Sequence, residues 1–205
     1  MSKLNHPIVE QSFAIIDREV GEHHLSPQEY ALARRVIHAT ADFEYLNLLR
    51  FSPGAIAVGI QNLQQGRPIV TDVTMVKQGI ASLVSKTFNN PIISAIEQAE
   101  VAEAGKTRTE TGMLRCWAKY PQAIYLIGNA PTALLALCKQ LAHSTSTIQP
   151  ALVIGVPVGF VSVMESKAAL QKLDVPYITI EGRKGGSPAA ASILNALLVL
   201  ATEME

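Results

Sequence analysis

Charge is scarce in this chain. Charged residues fill 17% of its 205 positions, where an average soluble domain carries roughly a quarter. Lysine plus arginine equals aspartate plus glutamate at 17 each, so the formal net charge is zero. That balance excludes the broad basic surface with which proteins meet nucleic acid. A local group of arginines can still hold a small polyanion. Cysteine is scarce too. Cys116 and Cys138 stand in unrelated segments with no C-x-x-C pair, so they read as buried thiols of a reducing compartment rather than zinc ligands. No apolar run approaches the length that spans a bilayer, so no membrane partner is expected. Met1-Ser2-Lys3-Leu4-Asn5-His6-Pro7 lacks the apolar core of a signal peptide, and the expectation is a cytoplasmic protein. The spacings H-x-H, H-x-x-x-H and H-E-x-x-H are missing, so no metal site is expected. G-x-x-x-x-G-K-[ST] and G-x-G-x-x-G are missing as well, which leaves a nucleotide cofactor without support.

Apolar residues are plentiful, at 48%. That is enough for one domain spanning residues 1–205, with surface left to bury against a second copy. The N-terminal third has helical spacing. Ile8, Phe13, Ile16 and Val20 form one stripe. Ser26-Pro27 is a good start for a second helix carrying Tyr30, Ala33, Ile37 and His38, and a third follows Pro53-Gly54. From Pro68 onward, short apolar runs alternate with helical stretches. The runs cover 68–72, 91–96, 123–127, 151–155 and 177–180, and they fit strands buried on both faces. The last helix, with Ala190, Ile193, Leu194, Leu197, Leu198 and Ala201, is clear. Strands alternating with helices imply a mostly parallel sheet in a three-layer α/β/α fold.

Ligands of such sheets bind beyond the carboxyl ends of the strands. The loops there are Asp72-Val73-Thr74-Met75, Gly128-Asn129-Ala130-Pro131-Thr132, Gly155 to Phe160, and Gly182-Arg183-Lys184-Gly185-Gly186-Ser187. The Gly128 loop enters a helix start, which favours an anion. In the last loop two cations precede two glycines and another helix start, a combination suited to a carboxylate or phosphate. Arg108 and Arg115 are seven residues apart and share a helical face.

His38 is the residue most suggestive of chemistry, because imidazole titrates near neutrality. Arg35 lies three residues before it and Asp42 four after, and helical spacing puts both on its face. An anion binder and a carboxylate flanking a proton-transfer group suit catalysis on an anionic substrate. A boundary histidine without a role fits the same local pattern.

Taken together, the segments resemble the precorrin-8X methylmutase family, also called cobalt-precorrin-8 methylmutase, of cobalamin biosynthesis. The resemblance covers nearly the whole chain. It rests on His38-Ala39-Thr40-Ala41-Asp42, Phe51-Ser52-Pro53-Gly54-Ala55, Thr71-Asp72-Val73-Thr74-Met75, Gly128 to Leu134, Gly155 to Val161, Glu165-Ser166-Lys167 and Arg183 to Ser187. The resemblance implies a homodimer with its active site near the subunit interface. It implies migration of a methyl group from C-11 to C-12 within one tetrapyrrole, giving hydrogenobyrinate or cobyrinate. It implies no S-adenosylmethionine and no other cofactor, any cobalt belonging to the substrate. By the same resemblance His38 supplies the proton, while Ser12 and Arg35 contact substrate. Arg108, Arg115, Arg183 and Lys184 are further candidates for the acidic arms, and Asp42 for orienting the imidazole. Two rival readings stand beside this one. They are a non-catalytic corrinoid carrier and a doubly wound methyl-donor-dependent transferase.

Overall fold

A computed structural model describes residues 6–143 and 148–204. Residues 1–5, the start of the segment read for a signal peptide, lie outside the described part. Five of the apolar runs become strands: β2 (Ile69–Thr71), β3 (Ile92–Ser94), β4 (Ile124–Ile127), β5 (Leu152–Gly155) and β6 (Tyr177–Ile180). A short strand that sequence spacing did not single out, β1 (Leu49–Phe51), closes one edge antiparallel to β6. The spatial order is β1-β6-β5-β4-β2-β3, and all pairings other than β1–β6 are parallel. The run at 91–96 is strand only to Ser94. It then bends into a 3-10 turn, Ala95–Gln98.

The helices are α1 (Pro7–Val20), α2 (Pro27–Thr40), α3 (Tyr45–Leu48), α4 (Ala55–Gln64), α5 (Thr74–Lys86), α6 (Arg108–Lys119), α7 (Pro131–His143), α8 (Val163–Gln171) and α9 (Ser187–Glu203). Successive strand residues point to opposite faces, and here both faces are covered. Ile69, Ile124, Leu126, Ile154 and Ile178 pack with Leu32 of α2, Ile60 of α4, Ile80 of α5, and Leu194 and Leu197 of α9. Val70, Tyr125, Ile127 and Val153 pack with Met113 of α6, Leu134 and Leu137 of α7, and Leu170 of α8. The expected three-layer α/β/α architecture is therefore present, and the inner strands β2, β4 and β5 are continuous apolar runs because both of their faces are covered. α9 lies at the centre of the first layer and is buried along most of its length. Truncating its fully buried Leu197 to alanine costs about 3 kcal/mol.

The route of α2 carries most weight for function. Its start is fixed by a capping box. Glu29 N–H donates to Ser26 Oγ at 3.3 Å, and Ser26 N–H donates back to Glu29 Oε2 at 2.9 Å. Its other end stops where Ala41 turns left-handed (φ 54°) and donates its N–H to Ile37 O at 2.7 Å. Fourteen residues at 1.5 Å each carry the chain about 20 Å. The residues just past its end, Asp42 and Tyr45, meet the loop that follows β6, at the carboxyl edge of the sheet.

Candidate active site at the carboxyl edge

His38 occupies the last turn of α2 with its ring exposed rather than sealed in packing. Its Nδ1 is hydrogen-bonded to Ser12 Oγ of α1 at 2.7 Å. Helices α1 and α2 are held together by apolar packing and by Asp17, which accepts from Tyr30 Oη at 2.6 Å and from Arg34 at 2.9 Å. Phe13 stands edge-on to the imidazole with ring centres 5.6 Å apart, and the Arg34 guanidinium lies 4.4 Å from the Phe13 ring centre. Ser12 thus reaches the imidazole from a neighbouring helix whose position is fixed at several points. A hydroxyl both donates and accepts, so Ser12 can follow the ring through either protonation state. Partial burial, and then the charge of Arg35, hold the His38 pKa below its ordinary value. Arg35 is half-buried beside Arg34. The two line a cavity of about 70 Å³ with Phe13 and Glu203.

Asp42, expected to orient the imidazole, pairs elsewhere. The helix ends at Thr40 and the left-handed Ala41 redirects the chain, so the helical i, i+4 relation to His38 does not hold. Asp42 Oδ2 accepts from Lys184 Nζ at 2.6 Å, and Oδ1 accepts from Glu44 N–H at 3.0 Å. Lys184 also lies 3.0 Å from Glu44 Oε2. Its hydrogen bonds to the two carboxylates raise the Lys184 pKa, and the bond from Lys184 lowers that of Asp42. Among the described residues the imidazole is hydrogen-bonded to Ser12.

The 182–186 loop therefore sits against the end of α2. Tyr45 Oη donates to Gly185 O at 3.3 Å, and Gly186 N–H donates to Val156 O at 2.9 Å. Gly185 has φ 151°, and a Cβ there would run into the carbonyl of Val156. Arg183 is exposed on the same loop. Beneath the loop lies a residue that the sequence had marked only as part of a motif. Lys167 of α8 is 3% exposed and donates to Gly182 O at 2.9 Å and to Lys184 O at 2.6 Å. Burial pushes its pKa down to about 8. An amphipathic stretch gives no hint that its lysine faces inward.

The Gly128 loop behaves differently from its sequence expectation. The strand order reverses between β2 and β4, where ligands of open sheets usually bind. Here the buried carboxylate of Asp72 fills that place. It accepts from Gly128, Asn129 and Ala130 N–H at 3.2, 2.6 and 2.7 Å, and from Val73 N–H at 3.0 Å. The anion expected at this helix start is supplied by the protein. Desolvation raises the Asp72 pKa, and the four backbone donors oppose that rise.

Arg108 opens α6 next to the Thr107 cap, whose Oγ1 lies 3.0 Å from Thr132 Oγ1 of α7. It is exposed at the carboxyl edge of the opposite helix layer. Arg115 donates to Gln98 O at 2.9 Å and lies 3.9 Å from Glu103, which ties α6 to the 3-10 turn. Two larger cavities lie elsewhere. One of about 280 Å³ is lined by Ser26, Glu29 and Pro53, and one of about 530 Å³ by Pro53, Asp174 and Tyr177. Neither includes His38 or a candidate cation. Among the described residues no group of three His, Cys, Asp or Glu side chains is placed to hold a metal ion, and no helix is long and apolar enough to cross a membrane.

Residues 7–200 match the family described as precorrin-8X methylmutase. The chain is 60% identical to a cobalt-precorrin-8 methylmutase of Synechocystis sp. over 98% of each chain. It is 39% identical to the precorrin-8X methylmutase of Pseudomonas aeruginosa over 97% of this chain and 95% of that one. The crystal structure of a precorrin-8X methylmutase from Thermus thermophilus superposes with a TM-score of 0.88 at 42% identity, covering 97% of this chain and 99% of the other.

Proposed function

The chain belongs to the precorrin-8X methylmutase family, and on that premise we propose how its exposed imidazole, serine and cation loop divide the work of an isomerase in cobalamin biosynthesis. The observation that carries the reading is the Ser12–His38 pair in the exposed last turn of α2, with Lys184 held by Asp42 just past the end of that helix.

The reaction moves a methyl group from C-11 to C-12 of one macrocycle, so nothing is gained or lost overall. Protonating a ring nitrogen draws electron density from the conjugated system and eases migration to the neighbouring carbon. The proton returns afterwards. His38 Nε2 is the donor, since Nδ1 is engaged by Ser12. A positioned general acid contributes roughly two to four orders of magnitude. In the free protein partial burial, and then the charge of Arg35, favour the neutral ring. The acidic arms of a bound macrocycle and the carbonyl end of α2 favour the imidazolium. Substrate binding thus charges the acid that it needs.

Lys184 and Arg183 on the loop after β6, Arg35 one helical turn before His38 and Arg108 at the start of α6 supply cations for those arms. Arg115 is tied to Gln98 O and faces Glu103, and Lys184 is held by Asp42 and Glu44, so at both an acidic arm competes with carboxylates of the protein. No S-adenosylmethionine enters, because the migrating methyl is already on the substrate. The protein acts as a cytoplasmic homodimer whose partner helps to enclose the ring. The exposed Phe160 (88%) and Val161 (82%) beside the cation loop support that assembly. The relatives are named as enzymes, which does not favour the carrier reading.

The test is direct. Purified protein is incubated with metal-free precorrin-8X and with cobalt-precorrin-8 while the visible spectrum is followed. The wild type converts at least one of them. His38→Ala binds product but converts precursor at least a hundredfold more slowly. Near wild-type turnover by His38→Ala removes the imidazole from the mechanism.

A further inference from the structure

We propose that Lys167 is a positioning residue, its buried ammonium holding the carbonyls of Gly182 and Lys184 so that the 182–186 loop presents the Lys184 side chain beside the His38 end of α2 to an acidic arm of the substrate. The inference deepens the proposed function and rests on it.

Three observations carry it. First, Lys167 is almost fully enclosed, yet its Nζ has two carbonyl partners, both in the one loop that bears Arg183 and Lys184. An ammonium left without partners there would be strongly unfavourable, so the loop and the lysine depend on each other. Second, the lysine acts on main-chain atoms. It fixes the backbone on either side of Arg183, and this sets the direction in which the next side chain leaves. Third, the loop is met from the other side by Tyr45 on Gly185 O and by Asp42 and Glu44 on Lys184 Nζ. Pinned from below and clasped from the side, the loop has one conformation available before ligand arrives. Binding then does not have to supply the ordering of that loop, which is where preorganisation gains affinity. Desolvation lowers the affinity of the Lys167 amine for its proton, in keeping with a group placed for geometry rather than for contact with solvent.

Lys167 does not touch substrate in this arrangement, so its loss should alter binding much more than the bound step. The variant is Lys167→Met, which keeps the length and removes the donor. Steady-state kinetics on whichever of precorrin-8X and cobalt-precorrin-8 the wild type converts should show KM raised about tenfold with kcat within about threefold of wild type, the signature of lost uniform binding. A double-mutant cycle with Lys184→Ala gives the readout that a purely structural role would not move. If Lys167 works through Lys184, Lys167→Met adds little to KM on the Lys184→Ala background. Lys167→Gln, which keeps an N–H donor, should recover part of the KM loss. Hydrogen exchange on the ligand-free wild type reads the same idea without any variant, and the Gly186 amide should be protected. Unchanged KM in Lys167→Met, fully additive KM effects in the cycle, or rapid exchange at Gly186 before ligand is added would each overturn the inference. Absence of conversion of both precursors by the wild type would instead remove the functional reading on which it stands.

Discussion

Ser12 and His38 are 26 positions apart in sequence and 2.7 Å apart in space, hydroxyl to Nδ1. The pair leaves Nε2 as the nitrogen able to face a ligand and gives the ring a partner that serves both its charged and neutral forms. Ser12→Ala should therefore leave the fold intact and lower kcat about tenfold, because the ring loses its orientation and not its acidity. Turnover kinetics beside a thermal melt check this. Unchanged kcat would assign Ser12 to packing.

Protonation of His38 should depend on whether an anion is bound. Burial and Arg35 lower its pKa in the free protein. Nitrogen-15 NMR of the imidazole should show titration below the usual value near 6.5 without ligand, and a move upward when a multiply acidic corrinoid is added. The sign for stability follows from the same shift. Because the folded state binds this proton less readily than the unfolded chain, His38 disfavours the fold as pH falls from the ordinary histidine range through the lowered pKa. His38→Ala should lose that part of the acid sensitivity.

Asp42→Asn should behave as a loop variant and not as an imidazole variant. The carboxylate holds Lys184 and the Glu44 amide. KM should rise severalfold with kcat nearly unchanged, and the His38 titration should move little. A large fall in kcat with constant KM would restore Asp42 to the proton-transfer machinery.

Asp72→Ala should be among the most damaging single changes in the carboxyl edge. It leaves the backbone donors of Gly128, Asn129 and Ala130 without their acceptor inside the protein. The expected cost is about 3 kcal/mol or more, read from urea unfolding. A loss below about 1 kcal/mol would mean that water replaces the carboxylate freely.

Lys167 should leave a mark on alkaline stability. Its pKa falls from the usual lysine value to about 8 on folding. The unfolded chain then holds this proton more tightly, so the charged amine penalises the fold at neutral pH. The penalty lifts as pH rises through about 8 toward the unfolded value near 10.5. Its full size is on the order of 3 kcal/mol. Comparing melts of wild type and Lys167→Met from pH 7 to pH 10 should show the wild type gaining relative to the variant. A constant difference across that range would place the amine in a more solvated setting.

Much of this architecture could be read from residue order. Strands buried on both faces need unbroken apolar runs such as Ile124-Tyr125-Leu126-Ile127, and α9 needs its leucine spacing, so period and length identify the elements locally. The capping box at Ser26 and Glu29 likewise announces where α2 begins. His38 stands out in the sequence because an imidazole is able to exchange a proton near neutral pH wherever its helix points. β1 leaves no mark in the sequence, since three residues at a sheet edge show no periodicity. Nor does chain order reveal pairing. Whether Asp42 serves His38 or Lys184 turned on one left-handed residue, Ala41, that ended the helix early. Whether the Gly128 loop is open to an anion turned on Asp72, 56 residues before it. Whether Lys167 faces water or the underside of a loop turned on how α8 lies against β6. These facts are distances between remote side chains, and such distances exist only after the layers have packed, because a hydrogen bond or ion pair is decided by geometry within a few ångströms.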